Sequence, residues 1–423
     1  MNSDLSPSFQ FRNDILHVDD VAIPDIVARV GTPVYVYSRQ KFERQYHLLE
    51  TSIAVFGGQI CYAVKANSNL AVLKVFNDLG AGFDIVSGGE LQRVMAAGAD
   101  AGKVVFSGVG KSAADIDLAL KLEIGCFNVE SAAELARIAE RARLLGKIAA
   151  VAIRVNPDVD PKTHPYISTG LKENKFGVPA AQALALYDFI QSNDHLRAAG
   201  MACHIGSQIT TPQPMIEALE NLLKLIDQLQ DNGIELDHLD LGGGFSATYD
   251  TEPPFDFADY SERVVAALDN RKIQIVVEPG RFLVANGGIL VTTVEYLKPQ
   301  PSDEHHNFAV TDAAMNDLIR PALYQAWHGV DNVARRDPNA ARRWDIVGPV
   351  CESADFLAKD RLLTIEPGDL LAVYSAGAYA MVQASNYNSR GRPPEVLVEG
   401  DSFSVIRRRE TSTDMLRLEL PER

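Results

Sequence analysis

Eight times in series, a short apolar run is followed by a stretch of helical periodicity, and no other feature of this 423-residue chain restricts its fold as much. Ile60–Val64 precedes Leu70–Leu79, Phe83–Val86 precedes Glu90–Ala97, and Val104–Ser107 precedes Ser112–Leu122. Cys126–Val129 precedes Ala132–Leu145, and Ala149–Val155 precedes a longer insert and then Ala180–Gln191. Met201–Ile205 precedes Met215–Gln230, His238–Leu241 precedes Phe257–Leu268, and Ile273–Glu278 is the eighth run. The runs are continuously apolar rather than alternating, as strands buried on both faces must be. Eight such units favour a closed parallel (β/α)8 TIM barrel over an open doubly wound sheet. Lys65, Asp84, Ser107, Glu130, Arg154, His204, Gly242 and Glu278 all fall within or just past the end of a run. In a barrel of this kind that end is the reactive face.

Beyond Arg281 the pattern changes. Val284–Leu297, Trp344–Val350, Asp369–Val373 and Glu395–Val398 read as strands separated by turns such as Pro367-Gly368. The sequence therefore predicts an α/β chain in three parts. Residues 1–35 form an N-terminal segment that packs with the second domain, Val34–Tyr37 being strand-like. Residues 36–281 form the barrel, and residues 282–423 a mostly β domain of barrel or sandwich type. Pro299–Asn307 reads as an exposed loop.

Composition excludes several classes. Hydrophobic residues make up 46% and charged residues 23%, the balance of a globular protein rather than a disordered or fibrous one. Lys+Arg 40 against Asp+Glu 56 gives a net charge of −16, which argues against nucleic acid as a partner. Cys61, Cys126, Cys203 and Cys351 are widely spaced, with neither a disulfide framework nor zinc-ligand spacing. The start, MNSDLSPSFQ, has no basic segment followed by an apolar one, and no apolar run is long enough to span a bilayer. These features point to a cytoplasmic protein without a metal site.

Lys65 ends an apolar strand in Tyr62-Ala63-Val64-Lys65-Ala66-Asn67. A lysine there either reaches solvent, or is a desolvated amine of lowered pKa able to form an imine with a carbonyl. Nine further motifs follow in order: FDIVSGGEL, RVNPDV, HPYISTGLKENKFG, HIGSQI, DLGGGF, EPGR, DAAMNDLIRPALY, GPVCESADF and GAYAMVQASNYN. Together with YAVKAN they span roughly residues 30–400, and with them the chain resembles the diaminopimelate decarboxylases. These are pyridoxal-phosphate enzymes of the alanine racemase and ornithine decarboxylase fold group.

The resemblance implies a cofactor, pyridoxal 5'-phosphate, joined covalently to Lys65. That coenzyme needs an anion cradle, a partner for its ring nitrogen and contacts on its ring faces. Gly242-Gly243-Gly244 follows the seventh strand, where glycines let backbone N–H groups approach a phosphate. Pro279 lacks an N–H, so donors from Glu278-Pro279-Gly280-Arg281 must be Gly280 and Arg281. The family pattern adds hydroxyls from Ser207 and, from the second domain, Tyr379. Ser246 departs from it, standing where many relatives have a further glycine. Glu278 is the carboxylate expected beside the ring nitrogen, where a negative charge keeps that nitrogen protonated. His204 is either a satisfied core histidine or, as the family has it, a plate against the ring. Asp84 and Arg154 are expected as supports at the same rim, or as an ion pair with one another.

The implied substrate, meso-diaminopimelate, carries a carboxylate and an ammonium at the end remote from the reacting carbon. Arg281, Arg320 and Tyr324 are expected to hold the first, and Glu352 the second. Asp317 lies nearby in sequence with no assigned role. Cys351 is the expected proton donor to the reacting carbon. In the family the Cys-Glu segment reaches the neighbouring subunit's site, which implies a homodimer. The alternative is another basic-amino-acid decarboxylase of the same fold group; Arg320 with Tyr324, and Glu352 after the cysteine, argue against it.

Overall fold

A computed structural model of the chain describes residues 8–160, 175–300 and 307–419. Most of HPYISTGLKENKFG and most of the Pro299–Asn307 loop lie outside the described residues. The chain forms two compact units, one of Gln45–Ala247 with Pro253–Phe282, the other of residues through Arg44, Thr248–Glu252 and Leu283 onward.

The first unit is a parallel barrel. Its strands are Gln59–Ala63, Gly82–Ile85, Val104–Phe106, Cys126–Val129, Ala149–Asn156, Leu196–Ala202, His238–Asp240 and Gln274–Val277. Each pairs in parallel with the next, and the eighth closes on the first through Val276 opposite Gln59 and Val277 opposite Ile60. The sequence also explains why helices begin promptly after the strand tips. Ser87, Ser112 and Ser131 each accept the amide three residues on, and Ser112 completes a capping box with Asp115. Such caps satisfy helix N–H groups that would otherwise be bare. The two-residue strand Val178–Pro179 pairs with the fifth barrel strand, an addition the apolar pattern does not announce.

The second unit is mostly β. Gly288–Lys298 pairs antiparallel with Val34–Ser38, Asn307–Thr311 and Leu370–Val373. Val34–Ser38 also pairs in parallel with Glu395–Glu399. A small sheet of Phe9–Arg12, Ile15–Val18 and Val21–Ala22 buries Leu16 and Val18 in a core shared with Ile289, Val291, Val396 and Val398. Three details differ from the sequence reading. The N-terminal share of this unit extends to Arg44, and residues 248–252 belong to it. The strand foreseen from Val284 begins at Gly288, because Arg281–Val284 coils helically and Ala285–Gly287 forms a 3-10 turn. Phe356–Leu363 and Ser402–Arg407 were not foreseen, since charged or polar residues interrupt their apolar character. Among the described residues, no helix is long and apolar enough to cross a membrane.

Candidate active site

Lys65 sits in the 3-10 turn that ends the first barrel strand, and its Nζ lies 2.6 Å from Asp84 Oδ2. Asp84 is fully buried, whereas the lysine side chain is 38% exposed. Asp84 Oδ1 has no hydrogen-bond partner among the described residues. A buried carboxylate oxygen left bare is costly, so this edge of the rim is built to receive a further donor or charge. The alternative of an Asp84–Arg154 pair is not what forms. Arg154 Nη1 lies 2.6 Å from Glu130 Oε1, and Glu130 also accepts from the Gly108 and Gly177 amides. Arg154 thus ties the fifth strand to the fourth, while Asp84 serves the lysine.

Below this pair lies a buried polar cluster. Ser107 Oγ donates to Glu278 Oε1 at 3.3 Å, and Asn128 Nδ2 donates to Ser107 Oγ at 3.2 Å and to Asp240 Oδ2 at 2.9 Å. Asp240 and Glu278 face each other closely enough to share a proton. Burial pushes the Glu278 carboxyl well above its ordinary range, and the charges of Asp240 and Asp84 push the same way against Lys65. Burial raises Asp240 too. Two carboxyls sharing one dry space cannot both ionise cheaply. A cation arriving beside Glu278 would allow both to ionise.

The seventh strand leads into the glycine loop. Gly242 and Gly244 have φ of +67° and +111°, the region side chains avoid. A Cβ on Gly243 would fall 2.1 Å from the Glu278 carbonyl oxygen. The loop's amides correct a simple cradle, however. Gly242 N–H donates to Asp240 Oδ1 at 2.9 Å, and Gly243 N–H donates to His204 Nδ1 at 3.1 Å. Two of the three amides are therefore engaged by protein. Because His204 Nδ1 accepts, its proton sits on Nε2, and burial with Arg154 and Lys65 drives its pKa well below the usual value. It is a neutral ring. Arg281 is buried, and its Nε and Nη2 donate to Ser207 Oγ at 3.2 and 3.0 Å. Gln208 holds both the amide and the carbonyl of Ala247, which fixes the loop carrying buried Ser246. Gly280 is buried beside Pro279, whose carbonyl accepts from Ala63.

The rim thus offers an amine at the tip of one strand, a carboxyl at the tip of another, a cation-bearing hydroxyl and a glycine turn. These residues fit an aldehyde coenzyme with an anionic arm and a basic ring nitrogen. Asn128 and Asp240 are not singled out by the sequence because on their strands attention falls on Glu130 and Gly242, the residues nearest the tip. Polar residues inside the apolar runs were the signal.

The remaining expected residues belong to the second unit. Arg320 opens the helix Arg320–Tyr324 and is buried. Its Nη1 lies 2.9 Å from His328 Nε2, and its guanidinium lies 4.4 Å over the Tyr249 ring. Tyr324 is half-buried on the same helix. Asp317 turns out to brace the preceding turn, accepting from the Ala314 amide and Asn316 Nδ2, both at 3.0 Å. Burial pushes its carboxyl up to about 7. Tyr379 holds a left-handed φ of +54°, unusual for an aromatic residue and a mark of a constrained position. Cys351 is the exposed cysteine; Cys61, Cys126 and Cys203 are buried, and burial pushes their thiols up. Its amide donates to Asn388 Oδ1 at 2.8 Å, and Glu352 Oε2 accepts from Tyr387 at 3.3 Å.

Residues 39–285 match the family described as pyridoxal-dependent decarboxylase, pyridoxal binding domain. The chain belongs to that family of decarboxylases. Its near relatives there are diaminopimelate decarboxylases. It is 54% identical to the enzyme of that name from Pseudomonas aeruginosa, over 96% of this chain and 97% of the other. Against the one from Aquifex aeolicus it is 43% identical, over 96% of each. The crystal structure of the Helicobacter pylori diaminopimelate decarboxylase complexed with L-lysine is 42% identical with a TM-score of 0.90, covering 94% of this chain and 98% of that one. A lysine/ornithine decarboxylase from Vibrio vulnificus, at 23% identity and a TM-score of 0.78, shares the fold.

Proposed function

We propose that this chain removes carbon dioxide from the D-centre of meso-2,6-diaminopimelate and leaves L-lysine, with pyridoxal 5'-phosphate as cofactor. The observation that carries this is the Lys65–Asp84 pair set beside the buried carboxyls of Asp240 and Glu278, in a chain of this family. When bound, the coenzyme supplies an electron sink for the pair left by the departing carboxylate.

Lys65 Nζ would hold the coenzyme's aldehyde, with Asp84 fixing the amine's position. Glu278 would hold a proton at the ring nitrogen, with Asp240 and Asn128 keeping Glu278 in place for it. His204, neutral, would offer an uncharged face to the ring. Ser207, Gly243, Gly244, Pro279, Gly280, Arg281 and Tyr379 shape or donate to the phosphate site. Since the Gly242 and Gly243 amides are engaged, the donors there fall to Gly244, Gly280, the hydroxyls and Arg281. Arg320 and Tyr324, aided by Arg281 and Tyr379, take the distal carboxylate, and Glu352 takes the distal ammonium. Binding far from the reacting carbon then orients the bond to be broken. Cys351 protonates the carbon left behind. Its exposure, with that of Glu352, supports a homodimer in which this turn completes the partner's site. A free exposed thiol also supports a cytoplasmic location.

The test is carbon dioxide release from meso-diaminopimelate, compared with ornithine, lysine and arginine, with cofactor added. A site built to bond the distal carboxylate should disfavour the analogues by up to about 10⁴–10⁵. Comparable turnover of ornithine would overturn the substrate assignment. Borohydride reduction followed by peptide mapping should label Lys65 and no other amine.

A further inference from the structure

Arg320 is held by two side chains that no sequence motif singled out. His328 is fully buried, with Nδ1 lying 2.8 Å from the Tyr374 carbonyl and Nε2 lying 2.9 Å from Arg320 Nη1. A carbonyl only accepts, so Nδ1 carries the proton. A guanidinium only donates, so Nε2 must be the bare lone pair. One tautomer of a neutral imidazole satisfies both contacts, whereas an imidazolium, protonated at Nε2 as well, could not accept from Arg320. Tyr249 covers the flat face of the same guanidinium at 4.4 Å and meets the His328 ring edge-on, at 5.4 Å and 82°. Arg361 Nη2 caps the arrangement by donating to the His328 carbonyl at 2.8 Å.

We propose that His328, seconded by Tyr249, is a positioning residue that sets the direction of the Arg320 fork and thereby the preference for a substrate with a distal carboxylate. This rests on the reading of Arg320 as the carboxylate partner. An arginine clamps a carboxylate through two parallel N–H bonds, and that geometry tolerates little rotation. A long side chain fixed only at its Cα would lose rotamer freedom on each binding event. His328 fixes one edge and Tyr249 one face before substrate arrives. The neighbouring segment has thus already met the ordering cost.

The experiment uses the holoenzyme with His328→Phe, His328→Gln, Tyr249→Leu and Arg320→Gln. His328→Phe should raise KM for meso-diaminopimelate by about tenfold or more. Its kcat should change by less than about threefold. L-lysine, whose own carboxylate is the distal one, should bind more weakly by a similar factor in calorimetry, a readout independent of turnover. The kcat/KM ratio of meso-diaminopimelate over ornithine should fall, and cofactor absorbance should be unchanged. His328→Gln, whose side-chain carbonyl can accept from Arg320, should lie between wild type and Phe. Tyr249→Leu should show the same pattern more weakly. If His328→Phe fails to fold, the Gln and Leu variants decide. An unchanged KM and lysine affinity in the folded variants, with Arg320→Gln impaired, overturns this proposal alone. Equal losses for meso-diaminopimelate and ornithine would also overturn it, since they mark a role in folding only. If Arg320→Gln itself leaves KM and lysine affinity unchanged, the reading beneath fails and the proposal with it.

Discussion

The barrel rim and the Cys351–Ala354 turn treat their reactive groups in opposite ways. At the rim, Asp84, Asp240, Glu278 and Arg281 are buried, and each is bonded to a side chain of the same unit. On the turn, all four residues are exposed, and Cys351 and Glu352 are steadied by the outlying Asn388 and Tyr387. Buried charge must be balanced within the fold that buries it, so the rim draws its partners from one unit. The turn is anchored at its base, where Asp355 accepts from the Met315 and Val350 amides at 2.6 and 2.8 Å, and is open at its tip. A rigid base under a solvated tip suits a group that acts on another molecule. On the proposed reading, the rim's share of the chemistry is a property of the fold and the turn's share one of an assembly.

The largest effect should come from Lys65→Ala, with turnover falling by at least about a thousandfold. Lys65→Arg keeps a cation for Asp84 and should be equally inactive while holding the thermal midpoint of wild type. An active Arg variant would mean that the lysine is only an ion-pair partner. Cys351→Ala should follow, lowering kcat by about 10²–10⁴ with no change in melting temperature, because the side chain is exposed. Mixing the Lys65→Ala and Cys351→Ala proteins then breaks or sharpens the comparison directly. If the turn completes a partner's site, half the dimers are mixed and each has one intact site, so activity should return to about a quarter of wild type. No recovery, with subunit exchange shown by mass, would place both groups in one chain's own site.

A smaller effect should follow changes beneath Glu278. Asn128→Leu removes the amide that bonds Asp240 and Ser107 and should destabilise the barrel by about 1–3 kcal/mol. Asp240→Asn removes one of two carboxyls competing for a proton. Both folded pKa values are raised, so in the cofactor-free protein the carboxyls' contribution is full below their ordinary values and is lost as pH rises through the raised ones. Asp240→Asn should flatten that loss, seen as cofactor-free melting temperatures from pH 4 to pH 9. An unchanged pH profile would mean that the pair does not share a proton.

How much of this was legible in the residues depends on which force wrote the signal. Barrel strands are buried on both faces, so eight apolar runs stand out, and Lys65, Asp84 and Glu278 are conspicuous as charges at their ends. Asn128 and Asp240 are harder to see, because their role arises only when the fourth and seventh strands meet across the barrel interior. Phe356–Leu363 hides because two exposed residues, Lys359 and Asp360, stand in succession, which breaks the alternation of a half-buried strand. Arg320 could be singled out from its motif. Its partners could not, since Tyr249 lies 71 residues upstream and comes to it only because residues 248–252 leave the barrel for the second unit. The engaged amides of Gly242 and Gly243 follow from backbone geometry, which composition does not record.

The smallest effect concerns Asp317, which tests whether the second unit has buried charge of its own that is structural. Its carboxyl is raised from 3.8 to about 7, mainly by burial, with the Ala314 amide and Arg390 opposing. Folded protein therefore keeps a proton that unfolded protein has lost between those two values. The resulting stability is full below pH 4, declines by at most about 1.4 kcal/mol per pH unit, and is gone above the folded value. Asp317→Asn cannot titrate and should show a flatter melting profile from pH 4 to pH 8, with kcat within about twofold of wild type at its optimum. A loss of turnover as deep as that of Cys351→Ala, with the profile unchanged, would move Asp317 from the scaffold into the chemistry. It would also erase the contrast between carboxyls buried to react and one buried to hold a turn.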